Sequence, residues 1–320
     1  MRLRRLRLLM FLGLFYACKK DATLEPLPCG WVHSNPYKIY VEPLIQWTED
    51  WTATSARFNP NNPNQFAYLE FHGTWHEKSL IVYDMTTGTK TTLATNVAPS
   101  DPSWSVKDWI LFQGFNDYQI WKVKPNGDSL IRITHAGASY YPEWSPDGTH
   151  FVSLYDAPRS GFRSSVIRDH DGNITDTVWG GGAKKWSPDG DKLALAGSIE
   201  GPSYVYINSP KNVITIPYSD DSDGPGMFVL GVWTPDSRSL IWSRGGEKLY
   251  ITEIATSETT LLVDSQECVS QGDFDVSPYG THLLITEIEE FYVKDKHTIN
   301  KTSRLVLHNM ITQEKMVIFD

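Results

Sequence analysis

A five-residue turn, Trp-Ser-Pro-Asp-Gly, starts at Trp144 and again at Trp186, and worn copies of it keep the same rhythm along the chain. They read Trp-Thr-Pro-Asp-Ser from Trp233, Val-Ser-Pro-Tyr-Gly from Val276, Trp-Ser-Val-Lys-Asp from Trp104 and Phe-Asn-Pro-Asn-Asn from Phe58. The six anchors are 46, 40, 42, 47 and 43 residues apart. A self-similar period of this size, built from short strands, is the signature of a β-propeller with one blade per repeat.

The motif has a local logic. Pro146 presets φ at the first corner of a tight turn, Asp147 suits the second, and Gly148 can take the positive φ that closes it. Strand-like runs follow each turn, as at 151–154, 193–196 and 283–285. A third strand is expected over 80–83, 119–123, 165–167, 204–207, 249–252 and 305–308. Hairpin signals such as Asn126-Gly127 and Asp171-Gly172-Asn173 then lead to a fourth strand, as at 130–134 and 259–263. Four strands in about 42 residues make one blade. The expected fold is therefore all-β, a six-bladed β-propeller with four antiparallel strands per blade.

With these residues in view, the chain resembles the TolB-like propeller family, whose WD-like repeat carries the same turn. The resemblance covers roughly residues 50–320 and is specific for fold, because Trp, Pro and Gly recur at fixed offsets. For function it implies a module that binds a protein or peptide partner at a channel mouth. The motif itself fixes no chemistry, since propellers host binding modules and unrelated enzymes alike.

The N-terminus reads as a targeting segment. Arg2, Arg4, Arg5 and Arg7 precede ten mostly apolar residues, Leu8 to Ala17, too few to span a bilayer as a helix. Phe15-Tyr16-Ala17-Cys18 resembles the lipobox of bacterial lipoproteins, which makes Cys18 the expected lipidation site. Lys rather than Asp at the second mature position points to the outer membrane. The expected organisation is a signal peptide over 1–17, a lipid-anchored tether over 18–37 and a single propeller over 38–320. Beyond Cys18 there remain Cys29 and Cys268, which either bridge the ring's closing seam or stay as two separate thiols.

The charge of −9 becomes −13 once the four N-terminal arginines are removed. No Lys/Arg cluster follows them, which argues against nucleic acid. Membrane contact is expected through the anchor only, and the propeller is expected to be monomeric.

Candidate ligand residues fall on the loops that join fourth to first and second to third strands: Trp51, His72, Trp75, His76, Tyr140, Tyr141, Trp179, Lys184, Arg244 and Asp273. Aromatic rings in such number favour recognition of peptides or sugars. His72 and His76 lie four apart without the helix that gives such spacing meaning in zinc proteases, and no metal or cofactor is expected. Neither a Gly-x-Ser-x-Gly elbow nor a phosphate loop occurs. The leading expectation is a non-catalytic, envelope-anchored binding module. The alternative is a surface lipoprotein that binds or cleaves glycans.

Overall fold

The computed structural model describes residues 25–26, 46–50, 52–72, 78–158, 163–178, 182, 184–195, 201–209, 211–216, 218, 228–244, 248–264, 269–293 and 298–319. The chain divides into two compact units. The smaller takes Met1–Glu49 and Glu290–Lys301. Its sheet contains β1 (Glu25–Pro26), the end of β24 (His282–Val293), the start of β25 (Thr298–Asn309) and β2 (Gln46–Asp50), in that order. Glu25 pairs with Tyr292 and Pro26 with Phe291.

The larger unit, Asp50–Glu289 and Thr302–Asp320, is the propeller. Blade 1 is β3 (Ala53–Asn59), β4 (Asn62–Phe71), β5 (Lys78–Asp84) and β6 (Thr89–Thr95). Blade 2 is β7 (Ser103–Trp104), β8 (Ile110–Gln113), β9 (Ile120–Val123) and β10 (Ile131–Arg132). Blade 3 is β11 (Ala138–Trp144), β12 (His150–Asp156), β13 (Arg163–Asp169) and β14 (Ile174–Val178). Blade 4 is β15 (Lys184–Trp186), β16 (Lys192–Leu195), β17 (Ser203–Tyr206) and β18 (Val213–Thr215). Blade 5 is β19 (Phe228–Trp233), β20 (Ser239–Arg244), β21 (Lys248–Glu253) and β22 (Thr259–Val263). Blade 6 is β23 (Val269–Val276), β24, β25 and β26 (Lys315–Phe319). Every neighbouring pair with a described register is antiparallel. The all-β, six-bladed expectation holds. The largest strand shortfall is the fourth strand of blade 2, which keeps only Ile131 and Arg132 of the 130–134 run.

The repeated turn is built by one set of hydrogen bonds. In blade 3 the Ser145 hydroxyl donates to Asp147 (2.6 Å), the Gly148 N–H to the Ser145 carbonyl (2.9 Å) and the His150 N–H to Ser145 Oγ (3.0 Å). The bonds recur at Ser187 and, with a threonine, at Thr234. The closing residue is left-handed in five of the six turns, by glycine at Gly148 (φ 63°), Gly190 (φ 79°) and Gly280 (φ 69°) but by Ser237 (φ 59°) in blade 5 and Asp108 (φ 55°) in blade 2. An L side chain adopts that conformation at a cost of about 1–2 kcal/mol.

The anchors explain why an aromatic opens the motif. Trp104, Trp144, Trp233 and Phe58 are all buried, and each packs into a cluster shared between its own blade and the preceding one. Trp144, for example, lies against Leu111, Ile120 and Ile133 of blade 2 and its flank. Trp186 and Val276 sit at the edges of the corresponding clusters. The core is thus six inter-blade wedges rather than one central mass. Each buried indole contributes on the order of 4–6 kcal/mol by area.

The ring closes between blades 6 and 1 by the same wedge, with Phe58 and Phe66 packing against Leu284 and Leu305. Polar bonds reinforce it. Thr52 donates from its N–H to Ser303 Oγ (3.1 Å) and from its hydroxyl to the Ser303 carbonyl (2.9 Å). The cysteines Cys18, Cys29 and Cys268 lie outside the described residues.

Candidate functional site

The innermost strands present three tiers of residues around a cavity of about 370 Å3 at the turn end of the propeller's channel. The rim is the turn's third position: Pro60, Val106, Pro146, Pro188, Pro235 and Pro278. Beneath it are the six anchors, and beneath those the residue that precedes each anchor. Around the ring this last tier reads Arg57, Ser103, Glu143, Lys185, Val232 and Asp275. Two cations, two carboxylates, one hydroxyl and one methyl-bearing side chain occupy six equivalent positions. A volume near 370 Å3 is within the range of small-ligand pockets, and a few polar groups in a mostly apolar lining are their usual makeup.

The tier is braced across blades. Lys185 Nζ meets Glu143 Oε2 at 2.7 Å. Arg57 pairs with Asp101, and its Nη1 donates to the Ala56 carbonyl (2.7 Å). The backbone N–H of Phe58 donates to Asp275 (2.8 Å), and that of Trp144 to Ser103 Oγ (2.9 Å). The anchor N–H of one blade is therefore held by the tier residue of the blade before it, at two of the six junctions.

Two residues farther from the anchor the inner strands bulge. Register shifts fall between Thr54 and Arg57 in blade 1, and between Tyr140 and Glu143 in blade 3. Within these bulges Ser55 (φ 56°) and Tyr141 (φ 51°) are left-handed. Bulges of this kind re-aim side chains and gather next to functional sites. Here the Ser55 hydroxyl reaches across to Asp273 on blade 6 (3.0 Å).

Electrostatics divide these groups. Burial pushes Asp273 up, the nearby Asp101 carboxylate adds to it, and together they outweigh Arg57 to bring it to about 6. Asp275 and Glu143 are also raised, by burial that Arg57 and Lys185 only partly offset. For Asp101 burial works the same way, but the Arg57 guanidinium overcomes it and holds the group below its ordinary value. Carboxylates in one site pushed to opposite sides of the normal value mark candidate functional groups.

Of the residues singled out in the sequence, Asp273 adjoins this cavity without lining it, through the Ser55 hydroxyl (3.0 Å) and the charges of Arg57 and Asp101. Tyr140 and Tyr141 stand together on β11, ring centres 6.3 Å apart, with Tyr118 6.1 Å from Tyr140 and the Arg163 guanidinium 5.7 Å from its ring. Tyr118 and Tyr141 are 50% and 42% exposed. Lys184 is buried in β15, where burial draws its ammonium down to about 8. His72 is exposed and hydrogen-bonds Ser79 Oγ (2.9 Å). Arg244 ends β20. Trp51, Trp75, His76 and Trp179 lie outside the described residues. Sequence reasoning missed Arg57, Asp101, Glu143, Lys185 and Asp275. Aligning the six repeats would have exposed four of them, because a charge directly before a buried anchor breaks the apolar pattern of an inner strand.

No family model matches the chain. Among curated proteins, Protein HIR2 of Debaryomyces hansenii is 30% identical over 104 residues, 31% of this chain and 10% of that protein. An uncharacterized protein of Agrobacterium fabrum is 33% identical over 129 residues, 35% of this chain and 44% of that protein. The matched stretches thus span less than half the length of either relative. Among solved structures, a candidate TolB from Agrobacterium tumefaciens superposes with a TM-score of 0.60 at 15% identity, covering 76% of this chain and 88% of that one. An oligogalacturonate lyase in complex with manganese gives 0.52 at 11% identity, covering 84% and 77%. The likeness is one of fold: the chain has the TolB-like six-bladed propeller.

Proposed function

We propose that this chain is a non-catalytic binding module of the cell envelope, which holds a segment of a protein or peptide partner in the central channel of its propeller. The observation that carries the reading is the cavity with its proline rim and its floor of alternating charge, built from equivalent positions of all six blades. About 370 Å3 admits a few residues of extended chain, not a folded domain. The mixed floor suits a polypeptide, which offers carbonyls, amides and charged side chains together. The likeness to a candidate TolB agrees with this reading, and the basic and apolar N-terminal run ending at Cys18 supports an outer-membrane lipid anchor.

The test is selection of a displayed random-peptide library on the full chain and on a Val106→Trp variant. Val106 is an exposed rim residue, so an indole there plugs the mouth without entering a core. Enrichment of a shared motif on the parent, lost on the variant, supports the reading; equal enrichment on both sinks it. For the anchor, Cys18→Ser is expected to move the protein from the membrane fraction to the soluble one.

A second reading has its own observation. The Tyr118, Tyr140 and Tyr141 rings offer apolar faces with polar tips, as sugar-binding surfaces do. A glycan array in which hits vanish on Tyr118→Ala would favour it.

A further inference from the structure

Among the described residues the channel system holds two cations and four carboxylates, and its ion pairs use both cations. Arg57 is committed to Asp101 and Lys185 to Glu143. Asp273 and Asp275, both on β23, are left with neutral donors: the Ser55 hydroxyl for one and the Phe58 N–H for the other. Among the described residues no ion pair reaches either of them. A half-buried carboxylate without a cation is an unfavourable arrangement unless something else supplies the charge.

A second, independent feature lies on the same wall. Arg57 is only 6% exposed and lines the cavity, yet its Nε–H has no acceptor. Buried polar atoms left unmatched in an otherwise braced site point to a missing partner. That partner therefore brings a positive charge for the blade 6 carboxylates and an oxygen acceptor close by. Among the described residues no three His, Cys, Asp or Glu side chains group as a metal site.

We infer that the segment held in the channel presents a lysine or arginine side chain to Asp273 and Asp275, with a neighbouring backbone carbonyl serving Arg57. This rests on the peptide-binding reading above and names the residue class that reading leaves open. An ammonium or guanidinium would restore the balance of charge, and hydrogen bonds between ionised partners are the stronger ones. The groups facing Asp273 are Arg57 and Ser55 from blade 1, Asp101 ahead of blade 2, and Lys185 from blade 4. Since burial and Asp101 already raise Asp273, binding of the cation weakens as pH falls through about 6.

The experiment is calorimetric titration of the full chain with capped pentapeptides, Ala-Ala-X-Ala-Ala, where X is lysine, arginine, norleucine or glutamate. The expected result is lysine and arginine binding at least about tenfold tighter than norleucine, a preference lost in both Asp273→Asn and Asp275→Asn. Asn keeps an acceptor for Ser55 or Phe58, and thermal melts of the variants verify that they fold. The preference should also shrink between pH 8 and pH 5. Equal binding of the lysine and norleucine peptides, with both blocked by Val106→Trp, overturns the cation inference and leaves the peptide-binding reading standing. Absence of binding by all four peptides, together with an unproductive library selection, removes both. Binding of calcium ion alone, without the peptides, overturns the inference in favour of an inorganic cation.

Discussion

The turns and the channel use the same residue, aspartate, in opposite ways. In the turns, Asp147 takes hydrogen bonds from Ser145, Thr149 and the Thr149 N–H, which lower it to about 2. Asp236 is lowered the same way by Thr234 and the Arg238 N–H. In the channel, burial pushes Asp273 and Asp275 up, and the donors that reach them do not compensate. A depressed carboxylate adds stability above its unfolded value and loses it as pH falls through the folded one. A raised carboxylate does the reverse: its contribution is complete below the unfolded value, about 3.9, and is lost as pH rises through about 6. The turn aspartates thus build the propeller at neutral pH, whereas Asp273 and Asp275 weaken it there. The lesson is that residues repeated for the fold and residues placed for function can be told apart by the sign of their effect on stability.

Substitutions can break that contrast, beginning with the largest effect. Trp233→Ala empties a wedge between blades 4 and 5 and should destabilise by about 3–5 kcal/mol, measured by urea unfolding, with little dependence on pH. Asp273→Asn should do the opposite and raise stability at pH 8 by about 1–2 kcal/mol after allowance for channel water, the gain fading by pH 4. If it destabilised at pH 8, the contrast would fail. Asp236→Ala, in a turn, should lower stability at neutral pH by about 0.5–1 kcal/mol through its lost hydrogen bonds, and by less in acid, as pH falls below the ordinary carboxylate range. Asp108→Gly relieves a left-handed residue that accepts only a long 3.3 Å bond from Asn61, so a gain of about 0.5 kcal/mol is expected in thermal unfolding.

How legible this was in the sequence follows from the same contrast. The turns were readable because every determinant is local: Pro146, Asp147 and Gly148 act within five residues, and the repeat shows them again. The worn copy in blade 1 keeps one bond within its turn, Asn59 Oδ1 accepting the Asn61 N–H (2.8 Å), as Ser105 Oγ accepts the Lys107 N–H in blade 2 (3.2 Å). The channel was not readable in that way. Asp275 and the Phe58 N–H it holds are 217 residues apart in sequence, and Arg57 and Asp101 are 44 apart. Only ring closure brings them together. The sequence points to loop aromatics, whereas the cavity ringed by all six blades opens among the turns themselves. Tyr118, 50% exposed at a left-handed backbone position (φ 52°), carries no signal in the local sequence.

The most direct measurement is the carboxyl 13C titration of Asp273 in the full chain, assigned by its disappearance in Asp273→Asn. A midpoint near 6 is the predicted result, and it would leave the channel carboxylate poised for a cation. A midpoint at or below about 3.9, the ordinary aspartate value, would mean that the channel solvates or pairs the group like a turn aspartate, and would contradict the account.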